Sequence, residues 1–227
     1  DMGAYENENG AGPYNGPVWY VDASSELPYA NGSENAKFSK IQYGINAAAA
    51  GDTVLVTAGT YVENIDFSGK NIAVIGADRE TTIIDGNDAG SVVMFDSGEN
   101  NMAILDGFTI QNGSGYITLP GWNEFTLGSG GGVCILDSDP TLRNLIIENN
   151  TAPDYAGGGI YSDGGDPIIS HCIVKNNSAE NQGGGIYINE SNNATLEHSE
   201  ITGNAILHSS TSSGGGIRIN YSTITIT

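Results

Sequence analysis

The sequence predicts an all-β chain wound as a parallel β-helix solenoid, on three observations. The first is internal repetition: Gly130-Gly131-Gly132-Val133, Gly157-Gly158-Gly159-Ile160, Gly183-Gly184-Gly185-Ile186 and Gly214-Gly215-Gly216-Ile217 recur at steps of 27, 26 and 31 residues. The second is a strand-like run after each of them, at 141–147, 168–174, 195–201 and 223–227. The third is an Asn closing three of those runs at one register, Asn150, Asn177 and Asn204. A period near 27 built from short β-patterned segments is too short for a propeller blade and lacks an ankyrin helix. It fits a coil in which three short strands wind round once and equal positions stack about 4.8 Å apart.

In chain order, residues 1–17 read as a tail or the end of a preceding module, 18–52 as an N-terminal cap, and 53–227 as the solenoid, cut or continuing beyond 227. The chain begins at Asp1 with neither Met nor a basic n-region, as a processed protein or a piece of a longer one would. Within the cap, Ser39-Lys40-Ile41-Gln42 matches a capping box. Ile41, Ile45 and Ala49 then recur at four-residue spacing, which predicts a short amphipathic helix over 39–50. Such a helix would plug the open end of the stack.

Earlier, less regular coils follow, with strands expected at Thr53–Val56, Tyr61–Phe67, Asn71–Ile75, Thr82–Ile84, Val92–Phe95 and Met102–Ile110. In the regular repeats, period-two alternation assigns the sides. Leu142, Ile169, Leu196 and Ile224 form one inward column, Leu145, Cys172 and Ser199 a second, and Ile147, Val174 and Ile201 a third. The Asn column is expected to turn inward, each amide bonding its neighbour's and the bent backbone. Glycine supplies the positive φ of tight corners.

Composition narrows the function. Against 27 Asp and Glu stand 7 Lys and Arg, a formal charge of −20. Phosphate contacts need clustered Lys and Arg, so a nucleic-acid partner and an anionic membrane surface are both disfavoured. No apolar run reaches 18 residues, so membrane insertion through a helix is not expected. Two cysteines, Cys134 and Cys172, make no disulfide scaffold. Cys172 reads as a core residue and Cys134 as exposed, and opposite facing argues against a bridge.

Several stretches carry a resemblance. Ile41-Gln42, Ala47 to Ala50, Gly51-Asp52-Thr53-Val54, Gly59-Thr60-Tyr61, Ile83-Ile84-Asp85-Gly86 and Gly107-Phe108-Thr109-Ile110 resemble the start of right-handed β-helix proteins of the pectin-lyase-like superfamily. The later Gly-Gly-Gly-Ile and Ile-x-x-Asn pattern is similar to repeats of bacterial surface and secreted β-helix proteins, including the chlamydial polymorphic outer-membrane proteins. Together they cover Val18 to the end, and Asp1 to Glu6 looks like the closing motif of such a module. The resemblance implies a right-handed parallel β-helix of about six to seven coils in an extracellular or cell-surface protein. It specifies fold rather than activity, because the superfamily spans lyases, hydrolases, esterases and non-catalytic adhesins.

Candidate sites come from the outward positions. Met94, Cys134, Tyr161, Tyr187 and Arg218 should lie in one outward line on the Gly-rich strand. Tyr161, Tyr187 and Arg218 would suit a sugar chain, through ring stacking and hydrogen bonding, although aromatics also simply shield an exposed sheet. The loop Ser114 to Ser129 carries Tyr116, Trp122, Glu124 and Phe125, which would join that column as one groove or pack over the coil edge. Asp154, Tyr155, Glu180 and His208 would lie on its rim. The opposite turns are acidic, and Asp137, Asp139, Asp163 and Asp166 would bring oxygens toward one Ca2+, with solvated turn acids as the alternative. His171 and His198 should stack outward, without an evident third ligand for a transition metal.

Three functions are compatible with this pattern. The leading one is a non-catalytic extracellular module for surface adhesion or carbohydrate binding, with a polysaccharide or surface glycan as partner. The second is a structural subunit that self-associates end to end, as a tandem array or filament, through its coil ends and N-terminal tail. The third is a calcium-dependent polysaccharide lyase or a glycoside hydrolase. A lyase needs a calcium cluster beside a proton-abstracting Lys or Arg, and a hydrolase needs carboxylates about 5 to 10 Å apart across the sugar. Arg218 has no outward Asp pair beside it in this register.

Overall fold

The computed structural model describes residues 13–115, 128–208 and 214–227. Within them the chain is an all-β parallel β-helix with a single helix, Ile41–Ala47. Each regular coil visits four sheets. Sheet I has eight strands: Val18–Val21, Thr53–Val56, Ala73–Gly76, Ile104–Asp106, Thr141–Arg143, Ile168–Ser170, Ala194–Glu197 and Ile224–Ile226. Sheet II has six: Gly59–Val62, Thr82–Asp85, Thr109–Gln111, Ile146–Glu148, Ile173–Lys175 and Glu200–Thr202. Sheet III is short, with Thr151–Ala152, Ser178–Ala179 and Ala205–Ile206. Sheet IV holds Ile65–Asp66, Val93–Phe95, Val133–Leu136, Ile160–Asp163, Ile186–Asn189 and Ile217–Asn220. The six strands of sheets II and IV make about six coils.

Corners explain the repeat. Between sheets I and II, the position after the strand has positive φ in successive coils: Gly107 (81°), Asn144 (52°), His171 (54°) and His198 (48°). The II-to-III corner does the same with Asn112, Asn149, Asn176 and Gly203, and the IV-to-I corner with Asp137, Gly164, Glu190 and Tyr221. Glycine is mandatory only where space also fails. At the III-to-IV corner a Cβ on Gly157 would sit 2.5 Å from the Ile160 carbonyl oxygen, so the first Gly of each triplet is needed for close approach as well as for φ. Gly107 likewise divides the single strand expected over Met102–Ile110 into two, because the chain turns a corner there.

The core is a set of stacked columns. Ile147 pairs with Val174 and Val174 with Ile201, as the alternation predicts, and Leu142, Ile169 and Leu196 stack beside them. Ile224 packs against the core as expected but falls beside Ala194, and the residue in register with Leu196 is Ile226. The reason is one of length: Asn189 pairs with Asn220 and Thr195 with Thr225, so the final IV-to-I turn is one residue shorter than its neighbour, where Ile224 beside Leu196 would need it three residues shorter. Phe67 and Phe95 fill the early coils, with ring centroids 4.3 Å apart.

The cap differs from the capping-box expectation. The helix is Ile41–Ala47, and its N-cap, Lys40, makes no side-chain cap bond. Instead the Glu63 carboxylate, from the first coil, accepts the Ile41 and Gln42 backbone N–H groups at 2.8 and 3.2 Å. Burial holds that carboxyl above its usual range, against the pull of those two N–H groups. At the other end, the Lys70 ammonium donates to the carbonyls of Ile45, Asn46 and Ala48. The Gln42 amide both accepts from and donates to the Asp66 backbone, extending the edge of sheet IV with a side chain. The free donors and acceptors of a helix end and a sheet edge are thus met by tertiary contacts.

Candidate functional site

The outward line on sheet IV exists as a register: Met94 pairs with Cys134, Cys134 with Tyr161, Tyr161 with Tyr187, and Tyr187 with Arg218. Its accessibility is not what the sequence suggested. Cys134, Tyr161 and Tyr187 are 0, 2 and 3% exposed and form a second apolar cluster with Leu136 and Ala156, outside the barrel. The two tyrosine rings stack at 5.3 Å and 7°, and Tyr155 meets Tyr187 edge-on at 5.9 Å. Burial pushes the Tyr161 and Tyr187 hydroxyls and the Cys134 thiol well above their ordinary ranges, so none is poised to ionise. Cys172, in the core, is pushed up to about 12 by burial. Arg218 is half-buried, with its Nε unpartnered. Tyr116 and Trp122, with Glu124 and Phe125, lie outside the described residues.

The acidic turns do not assemble a cation site. Asp166 Oδ1 accepts from Ser191 Oγ, Asn192 N and Asn193 N at 2.7 to 2.8 Å. Asp139 Oδ1 accepts the Asp166 N–H at 2.8 Å, and Asp163 Oδ1 the Asn189 amide at 2.7 Å. Asp137 packs its carboxylate where a Cβ on Gly164 would stand. These oxygens brace the next coil's turn, and among the described residues no group of three or more His, Cys, Asp or Glu could hold a metal ion. The residues present therefore do not fit Ca2+, whose six to eight oxygens must converge. Glu99, not singled out from sequence, is 1% exposed and ties three coils through Gly69 N, Ser97 N and Ser138 Oγ.

A groove of about 510 Å³ runs along the corner between sheets I and II. Arg79, Asn144, His171, His198, Ser199 and Glu200 line it. Positive φ at the corner turns both imidazoles outward, and they stack at 5.0 Å and 11°. Arg79 arrives from a turn in which Asp78 Oδ1 accepts the Glu80 N–H and Thr109 Oγ1 donates to the Arg79 carbonyl. Its guanidinium then donates to the His171 carbonyl at 3.0 Å. The histidine stack was legible as a 27-residue spacing. Arg79, 92 residues upstream, carries no periodic signal and was missed.

The family profile described as a right handed beta helix region matches residues 29–227. The chain belongs to the right-handed β-helix family. Family membership accounts for the coil architecture and specifies no reaction. No curated protein matches the sequence. Similar solved structures include a pectin methylesterase mutant in complex with a hexasaccharide, at 14% identity and a TM-score of 0.48, and a pectin methylesterase in complex with another hexasaccharide, at 12% and 0.46. Each alignment covers 91% of this chain and 66% of the other, just under two thirds of those longer chains. No helix among the described residues is long and apolar enough to cross a membrane.

Proposed function

We propose that this chain is an extracellular, non-catalytic β-helix module that binds a polysaccharide along the corner groove between sheets I and II. The observation carrying the reading is the stacked pair His171 and His198, held outward on adjacent coils in a groove parallel to the solenoid axis. Left-handed backbone is strained for any residue with a Cβ, and Gly or Asn stands there in the earlier coils. Ring edges repeated at the coil spacing offer the same contact to successive units of a linear polymer.

Three outer-face carboxylates on the neighbouring strands are already engaged, and Glu200 is the one acid in the groove lining among the described residues, whereas hydrolysis needs a pair, which favours binding. Asp106 pairs with Arg143 at 2.7 Å, Glu148 with Lys175 at 3.0 Å, and Asp85 accepts the Gln111 and Asn112 amides. Affinity electrophoresis against a polysaccharide panel, run with and without calcium and followed by a product assay, tests the reading. Retardation without soluble product is expected. Unsaturated or hydrolysed product, or no retardation by any polysaccharide, overturns it.

A further inference from the structure

The chain carries ten Lys, Arg and His residues in total, 7 Lys and Arg with 3 His, against 27 acids. Three of the ten, Arg79, His171 and His198, meet in the one groove. Such convergence in a chain of charge −20 needs a reason, because each cation could otherwise offset an acid elsewhere. Arg143 and Lys175 illustrate that ordinary use, each paired to a carboxylate across adjacent strands.

We propose that the groove is an oxyanion site that takes the carboxylate or sulfate groups of an acidic polymer, with Arg79 as the fixed charge and the two imidazoles as proton-dependent partners. This rests on the binding reading above and adds the charge class of the ligand. A guanidinium carries five donors. Arg79 uses one on the His171 carbonyl, which sets it at the groove, and its Nε lies 3.7 Å from the exposed Glu80 carboxylate. The His171 backbone N–H is engaged by the Glu197 carbonyl, and that of His198 by the Thr227 carbonyl, so both rings are anchored through their main chain. Neither ring has a salt-bridge partner among the described residues, whereas His208, outside the groove, pairs with Glu180.

The other charged groups around the imidazoles are Glu200, exposed on the groove wall, Glu197 before His198, Glu80 beside Arg79, the paired Asp106 and Arg143, and the α-carboxylate that Thr227 carries in the 227-residue protein. Those carboxylates repel a second anion. The site therefore gains most when the imidazoles carry a proton. An anion bound beside an imidazole favours its charged form, so binding takes up protons and strengthens as pH falls.

The test measures binding of the 227-residue protein to alginate (carboxylate), dextran sulfate (sulfate) and neutral dextran, at about pH 5.5 and about pH 8 and one ionic strength. The inference expects one or both acidic polymers to bind roughly tenfold tighter at the lower pH, and which one identifies the group. Arg79→Gln should lose about tenfold at both pH values. The double variant His171→Asn and His198→Asn should flatten the pH profile while remaining folded, since Asn144 already occupies the same corner one coil earlier. Reversal of the pH effect, or a profile unchanged in the double variant, overturns the inference. Neutral dextran bound as tightly as the acidic polymers, with Arg79→Gln silent, also overturns it but leaves the binding reading standing. No retention of any polymer overturns both.

Discussion

The Asn177 side-chain oxygen accepts two hydrogen bonds from Asn150, one from its backbone N–H and one from its side-chain amide, both at 3.0 Å. Asn204 repeats the contact on Asn177, and each amide also reaches a strand carbonyl of the preceding coil. Asn150 and Asn177 are each 1% exposed, so the ladder is a polar seam inside the solenoid. Replacing Asn177 by Leu strands the buried Asn150 backbone N–H, while the Asn150 amide keeps the Ile110 and Glu148 carbonyls, and it leaves the Ile147 carbonyl without the Asn177 amide. The expected loss is about 3 kcal/mol, read as a lower urea midpoint at constant slope.

Ser162 interrupts an apolar inward column, between Ile135 and Ile188, and its Oγ is buried without a partner. Ser162→Ala removes an unsatisfied hydroxyl and leaves a space too small to matter. A stabilisation of about 1 kcal/mol is expected in the same unfolding assay.

Tyr187 is predicted to matter for folding rather than for binding. It is 3% exposed and packed on Tyr161 and Tyr155, so Tyr187→Ala should cost about 3 kcal/mol in the manner of a core aromatic. Polysaccharide retention, measured where the variant remains folded, should be unchanged. Loss of retention with stability intact would return the site to sheet IV.

Asp166 links stability to pH. Burial, which raises its pKa, is outweighed by hydrogen bonds from Ser191, Asn193 and Asn192, and the folded value lies below the ordinary 3.8. A depressed carboxyl contributes stability above its unfolded pKa and loses it as pH falls through the folded one. Asp166→Asn should therefore lower the urea midpoint at neutral pH. The gap from the parent protein should close as pH drops below 3.8.

The coil architecture was legible because its signal is local and repeated. Val133, Ile160, Ile186 and Ile217 each follow a Gly triplet, and stacking equal positions places them side by side. Exposure was not legible in the same way. Alternation puts Tyr161 and Tyr187 outside the barrel, but Tyr155 and Ala156, which pack on that cluster, come from a turn whose docking has no period. Long-range single contacts were equally silent: Glu63 caps a helix 22 residues before it, and Arg79 reaches a carbonyl 92 residues after it. The final register lies two residues from the expected one because Ile224 and Ile226 share a face, and a hydrophobic pattern alone does not register the length of the turn before them.

The most direct test of the binding account follows the imidazole signals of the three histidines by nuclear magnetic resonance while an acidic polysaccharide is added. His171 and His198 line the groove, whereas His208 pairs with Glu180 away from it and serves as the internal control. The account predicts that the His171 and His198 signals shift together and saturate while His208 stays in place. Saturable binding that leaves His171 and His198 unmoved would contradict it.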